Sequence, residues 1–251
     1  MSLWYDAAGD LTLVYTQDFP AGGDAPPGEN TGPSELPEPV GALRSAGTQA
    51  KTGTQAKRGP HRSNVSCGAN VSTWETYMLY PPATFSWYFN SGSTPAGLSV
   101  ATTETYLRNA HSEWYNNSNW CGYADASVFS MAYGGTTTSG YGDNGINTVG
   151  FAGMSGSGCA IDAVGCTRVE VAGINVIESD TRLNSALYSW VNGQASGKYD
   201  TWSVMAHELG HTLGFYHVID TSNVMNAGAF TNDTSPHLLG NGDANANNGK
   251  Y

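Results

Sequence analysis

The sequence predicts a mixed α/β (α+β) domain of about five strands and two main helices, on three observations. From residue 84 onward, strand-like and helix-like apolar patterns follow in the order strand, helix, four strands, helix. Both helices carry a start signal, Ser99 for the first and Asp200 or Thr201 for the second. Between Phe19 and Ser66 such patterns are nearly absent, so the domain begins close to Cys67.

The elements read as follows. Residues 84–89 (TFSWYF) form an aromatic-rich strand. After Ser99, the residues Val100, Thr103, Leu107, Ala110 and Trp114 share one face at helical spacing. Residues 128–133 and 148–151 are strands flanking a Gly-rich loop, and 163–169 and 173–178 are two more. The second helix runs through Leu213, where Gly214 stops it, because glycine adopts left-handed angles at little cost.

The N-terminal part is different in kind. Residues 1–38 hold seven acids and no Lys or Arg, whereas 44–62 hold five bases and no acids. Pro and Gly cluster there, and GTQAK occurs twice, at 47–51 and 53–57. Such a segment cannot bury enough surface to offset its ordering entropy. We therefore read 1–65 as an extension, largely disordered linker or propeptide remnant, and 66–251 as the domain. Within the extension, residues 3–5 and 11–15 can pair as a hairpin, which on its own would be marginal and needs a surface to dock on.

Composition narrows the function classes. The formal charge is −11, which opposes binding to nucleic acid or anionic membrane. No apolar run approaches the ~20 residues of a membrane span, and the N-terminus has no leader pattern. Charged residues are only 12 % of the chain, a composition typical of secreted, extracellular proteins. The four cysteines form no CxxC pair and favour two disulfides. Of three connectivities we favour Cys67–Cys121 with Cys159–Cys166.

The chemistry is concentrated in residues 207–217, HELGHTLGFYH. His207 and His211 lie one helical turn apart on one face, so both imidazoles can reach one ion at about 2.0–2.1 Å. The turn at Gly214 brings His217 back as a third ligand. Three protein ligands leave the fourth position of a zinc ion open, as catalysis requires. Glu208 is placed to act as general base toward a metal-activated water. The full pattern HExxHxxGxxH fixes five positions on a capped helix, which incidental surface histidines would not do.

At these residues the sequence resembles the metzincin clan of zinc peptidases. Met225, in residues 222–225 (SNVM), matches the clan's methionine turn, and its spacing of 225 − 217 = 8 residues from His217 looks like the matrixin family. Residues 145–151, 163–168 and 177–180 with Asn184 look like bacterial matrixin-type domains. The resemblance covers about residues 67–251. It implies a twisted, mostly parallel sheet with an active-site helix and Met-turn. It also implies an endopeptidase acting on protein or peptide substrates, monomeric and without nucleic-acid or membrane partners. The alternative is a non-catalytic zinc-containing binding or adhesion protein on the same fold, which an intact Glu208 argues against. Where animal matrixins have Ser after the third His and Tyr after the turn Met, this chain has Val218 and Asn226, so substrate preference does not carry over. No His lies between 112 and 206, so no second, structural zinc is expected.

Other signals in the sequence are weaker. Residues 140–145 (GYGDNG) match GxGxxG, but a strand follows where a dinucleotide fold needs a helix. Asp143, Asn144, Asn147 and Asp180 offer oxygen ligands for calcium, without a full set. Residues 243–249 resemble half a calcium loop and read better as a helix cap or tail. His111 reads as a packing residue, while His61 and His237 have no metal-binding neighbours. Cys67 lies where family latency would place a switch cysteine, but its flanks differ and the even cysteine count favours pairing.

Overall fold

Strand Thr84–Phe89 shows how the core is built: Phe85, Trp87 and Phe89 are buried and alternate with exposed Thr84 and Ser86. It belongs to a computed structural model that describes residues 2–5, 11–20, 67, 82–218, 220–228, 231 and 237–251. In chain order the elements are β1 (Ser2–Tyr5), β2 (Leu11–Pro20), β3 (Thr84–Phe89), α1 (Val100–Tyr115), β4 (Ser130–Thr136), β5 (Thr148–Ala152), β6 (Ala163–Ala172), β7 (Asn175–Asn184), β8 (Trp190–Val191), β9 (Tyr199–Asp200), α2 (Thr201–Thr212) and α3 (Asn241–Lys250).

The main sheet has the order β1-β2-β6-β7-β5-β3-β4. Its five domain strands are mostly parallel: β4 with β3, β3 with β5 and β5 with β7 are parallel, and only β6 runs antiparallel, to β7. The expected hairpin forms and docks: β1 pairs β2, and β2 lies antiparallel along β6, from Thr12 opposite Ala172 to Phe19 opposite Gly165. The sheet therefore reaches seven strands. The reason is the outer edge of β6, whose unpaired backbone groups accept a further strand. Residues 21–65, and with them the expected domain limit and disorder, lie outside the described residues.

Two strand limits shift. β4 starts at Ser130 because Phe129 turns into the core against Tyr251, ring centroids 4.8 Å apart, and leaves Val128 exposed. β7 starts at Asn175 because Gly173 (φ 63°) and Ile174 form the two-residue turn of the β6–β7 hairpin. A glycine with positive φ at the first turn position suits the twist of the flanking strands.

The helices lie against the sheet. α1 begins as expected, with Ser99 Oγ accepting from Thr102 N, and buries Thr103, Leu107, Ala110 and Trp114. In α2 the Asp200 carboxylate accepts from Ser203 N at 2.8 Å, and every residue except Trp202 is buried. The Trp114 indole donates to Ala206 O at 2.7 Å and so bolts α1 to α2. α3 contains residues 243–249, whose sequence suggests a helix cap or tail. Its sequence, NGDANANNGK, has poor helix propensity, and its burial holds it helical instead. Cys67 bonds to Cys121 and Cys159 to Cys166, the favoured connectivity.

Candidate metal centre

Within α2, His207 and His211 are buried and stand one turn apart. After Thr212 the helix closes: Gly214 takes φ 81°, and Phe215 N donates to Gly210 O at 2.8 Å. That turn returns the chain, and His217 meets the other two. The three Nε2 atoms lie 3.0, 3.1 and 3.2 Å from one another.

The protons decide what this cluster is. His207 Nδ1 lies 2.7 Å from Val224 O, and His211 Nδ1 lies 2.8 Å from Phe215 O. A carbonyl can only accept, so each Nδ1 carries the proton and each Nε2 presents a lone pair inward. Burial holds all three histidines neutral. It pushes His207 and His211 well below the ordinary imidazole value, with mutual repulsion adding to the effect, and lowers His217 to about 4. Lone pairs converging at these distances repel unless a cation lies between them. Ligands ~2.0–2.1 Å from one tetrahedral zinc ion would stand roughly 3.3 Å apart, close to what is seen. The donor set fits a divalent metal of the zinc type.

A loop and a helix hold this cluster from below. Met225 packs against Gly210, where a Cβ would overlap the Met225 sulfur. Val218 N donates to Met225 O at 2.8 Å, and the Asn226 amide donates to Val218 O at 3.1 Å. The two residues that depart from the animal family thus pair with each other beside the turn. Asp243 of α3 accepts from Val224 N at 2.5 Å, Met225 N at 3.3 Å and Gly240 N at 2.9 Å. Asn223 Oδ1 in turn accepts from Gly242 N at 2.9 Å and Asp243 N at 3.3 Å. Sequence reasoning missed this role of Asp243; the one available signal was an acid at the third position of an Asn-rich segment, the place of an N-terminal helix acceptor.

Glu208 is fully buried and turned toward β6. Its Oε2 lies 2.6 Å from Thr167 Oγ1, and a Cβ at Gly165 would overlap its Oε1. Neither Thr167 nor Gly165 was singled out from the sequence, since no spacing rule ties β6 to a helix about 40 residues on.

The remaining candidates have other partners. The Gly-rich loop is clasped by two β7 carboxylates: Asp180 accepts from Gly142 N (2.5 Å) and Thr148 N (2.9 Å), and Glu178 from Asn144 N (3.1 Å) and Gly145 N (2.7 Å). Burial raises Asp180 to about 6 in spite of these bonds. Asn147 bridges Ser179 N and Ser86 O at 2.7 Å each, and Asn144 Oδ1 accepts from Ile146 N. The side-chain oxygens of Asp180, Asn144 and Asn147 are therefore engaged with backbone N–H groups, and calcium gains no support. Asp143, Glu170 and Glu178 come together among the described residues, but Arg168 already pairs with Glu170 at 2.8 Å. His111 stacks on Trp87, centroids 3.6 Å apart, and donates from Nδ1 to Leu107 O. His237, expected to have no metal-binding neighbours, lies 2.6 Å from Asp200 Oδ2 and stacks on Trp202. It thereby joins the cap of the histidine-bearing helix. His61 lies outside the described residues.

Compared with known proteins, residues 84–248 match the family model described as matrixin. No curated protein matches the chain.

Proposed function

Because this chain belongs to the matrixin family of metallopeptidases, we propose that it is a zinc-dependent endopeptidase with His207, His211 and His217 as ligands and Glu208 as general base. The observation that carries this reading is the convergence of the three Nε2 atoms at 3.0–3.2 Å, those of His207 and His211 left unprotonated by their Nδ1–carbonyl bonds, with Glu208 next in the chain to His207. Bound there, zinc would supply Lewis acidity toward a water and the scissile carbonyl.

The protein's own groups do the rest. The Val224 and Phe215 carbonyls fix the tautomers of His207 and His211, so no proton has to leave these rings before a metal binds. Glu208 takes the proton of the attacking water as its oxygen bonds to the carbonyl carbon. It then delivers that proton to the amide nitrogen as the C–N bond breaks, and two peptide fragments leave. Met225 on Gly210 sets the floor beneath the ligands. Residues 1–65 form an extension ahead of this domain, and two disulfides suit a secreted, extracellular chain. No helix among the described residues is long and apolar enough to cross a membrane.

Glu208→Gln tests the assignment. With the ligands untouched, the variant should hold one zinc per chain while peptide cleavage falls by about 10²–10⁴-fold. Near-normal turnover in zinc-replete Glu208→Gln would remove Glu208 from the reaction. Cleavage by the wild type that survives complete chelation would remove the metal.

A further inference from the structure

Glu208 is held from the sheet as well as by its own helix. Gly165 and Thr167 stand two residues apart on β6 and so share the face turned toward α2. Thr167 is fully buried, and its Oγ1 lies 2.6 Å from Glu208 Oε2, 3.1 Å from Glu208 O and 3.2 Å from Thr181 Oγ1. A hydroxyl has one proton to donate. The shortest contact has the length of an O–H donating to a carboxylate, so the proton goes to Oε2. Thr181, the cross-strand partner of Thr167 on β7, then donates to the Thr167 oxygen. Gly165 completes the arrangement: a Cβ there would overlap Glu208 Oε1 and come within 2.8 Å of Cδ. The strand offers the carboxylate a notch at Gly165 and a donor at Thr167.

We infer that Thr167 is a positioning residue for the reaction, its hydroxyl fixing the orientation of the Glu208 carboxylate, which follows the ligand His207 in the chain. The inference rests on the general-base reading of Glu208. A glutamate side chain turns about several bonds, and proton transfer demands hydrogen-bond reach, so an unanchored carboxylate is out of place much of the time. A neutral anchor also suits this location. A Lys or Arg there would hold the carboxylate as firmly but repel the cation the histidines converge on. Thr167 supplies a directed donor and no net charge.

The test uses the full chain with zinc, in the variants Thr167→Val, which keeps the shape and removes the hydroxyl, and Thr167→Ser, which keeps the hydroxyl. Two readouts are taken. One is kcat and KM on a peptide. The other is the ¹³Cδ resonance of Glu208 in zinc-loaded and metal-free protein, assigned by its loss in Glu208→Gln. Thr167→Val should lower kcat by about tenfold to 10²-fold with KM nearly unchanged, the size of effect a misplaced catalytic group produces. It should also move the resonance, and Thr167→Ser should restore both. If Thr167→Val does not fold, Thr181→Val leaves Thr167 in place without its supporting donor and should show both effects in smaller measure. Wild-type kcat in Thr167→Val, an unmoved resonance, or equal losses in Val and Ser would each overturn the inference. Failure of the general-base reading shows separately, as normal turnover in Glu208→Gln, while the resonance still reports the contact.

Discussion

The two sides of the histidine cluster are held by different kinds of bond. On the side of the Met-turn and α3, main-chain groups hold the ligands: Val224 O and Phe215 O accept from the ligand rings, and one side chain, Asp243, fixes the loop by accepting from the N–H groups of Val224 and Met225. On the sheet side, side-chain hydroxyls do it: Thr167 on Glu208 and Ser179 on Thr212. Backbone carbonyls fix the tautomer of a ligand whatever residue supplies them, so that side tolerates side-chain change as long as the loop keeps its shape. The hydroxyl side depends on the identity of single residues. A metal-binding frame thus meets a base-holding wall, and the two should fail differently when broken.

The largest effect is expected at Asp243, on which the loop's shape depends. It is buried and serves three N–H groups, so Asp243→Ala strands all three away from water. At about 1–3 kcal/mol per lost partner, imperfectly additive, the loss should reach about 3–5 kcal/mol. Zinc affinity should weaken with it, since Val224 O orients His207 through the same turn. Urea midpoints at constant m-value give the first quantity and competitive chelation the second. Unchanged zinc affinity in a destabilised Asp243→Ala would separate the loop from the ligands and break the comparison on this side.

Acid should act on the same side. His217 is lowered to about 4 from an ordinary value of 6.5. Its folded value lies below its unfolded value, so between these limits the unfolded chain binds the proton that the folded chain refuses. The His217 contribution to the stability of the metal-free protein is therefore full above pH 6.5, is lost as pH drops toward 4, and changes no further below. For His217 alone the loss is about 3 kcal/mol, and His207 and His211 shift in the same direction. Urea titrations of chelated protein at pH 7, 5.5 and 4.5 measure this. Asp180, raised to about 6, acts in the opposite sense over part of this window, so the same titration of His217→Ala isolates the ring; identical pH profiles for the two proteins would mean that His217 is not held neutral.

The same contrast explains what the sequence disclosed. His207, His211 and His217 lie within eleven residues, and their spacing on a helix that turns at Gly214 is a local rule, so the cluster was legible. So were β3, by its alternation, β5, as a short run rich in β-branched and aromatic residues, and the starts of α1 and α2, by their caps. The mostly parallel sheet came with the family resemblance rather than from periodicity. Thr167 reads as part of a strand and of the family-like segment 163–168, and neither gives it a role of its own, because that role comes from a helix packed across it. Asp243 was hidden for the opposite reason: an Asn- and Gly-rich helix forms against its own propensity, held by tertiary contacts that no short window contains.

The smallest expected effect is the sharpest test of the hydroxyl side. Ser179 Oγ and Thr212 Oγ1 lie 2.8 Å apart, both buried, and tie the last turn of α2 to β7. Thr212 follows His211 directly, yet its hydroxyl faces the sheet and not the ligands. If the sheet wall only clamps the helix here, Ser179→Ala should cost about 1 kcal/mol, the net worth of one buried hydrogen bond, and leave zinc affinity unchanged. Thr212→Val should cost a similar amount, and the double variant less than the sum, because the second truncation removes a partner already lost. The urea midpoints of the four proteins give the coupling directly. Full additivity would deny the pair, and a fall in zinc affinity in Ser179→Ala would show that the hydroxyl wall also holds the ligands. The division between a backbone-held metal frame and a side-chain-held base would then be wrong, even with Thr167 acting as inferred.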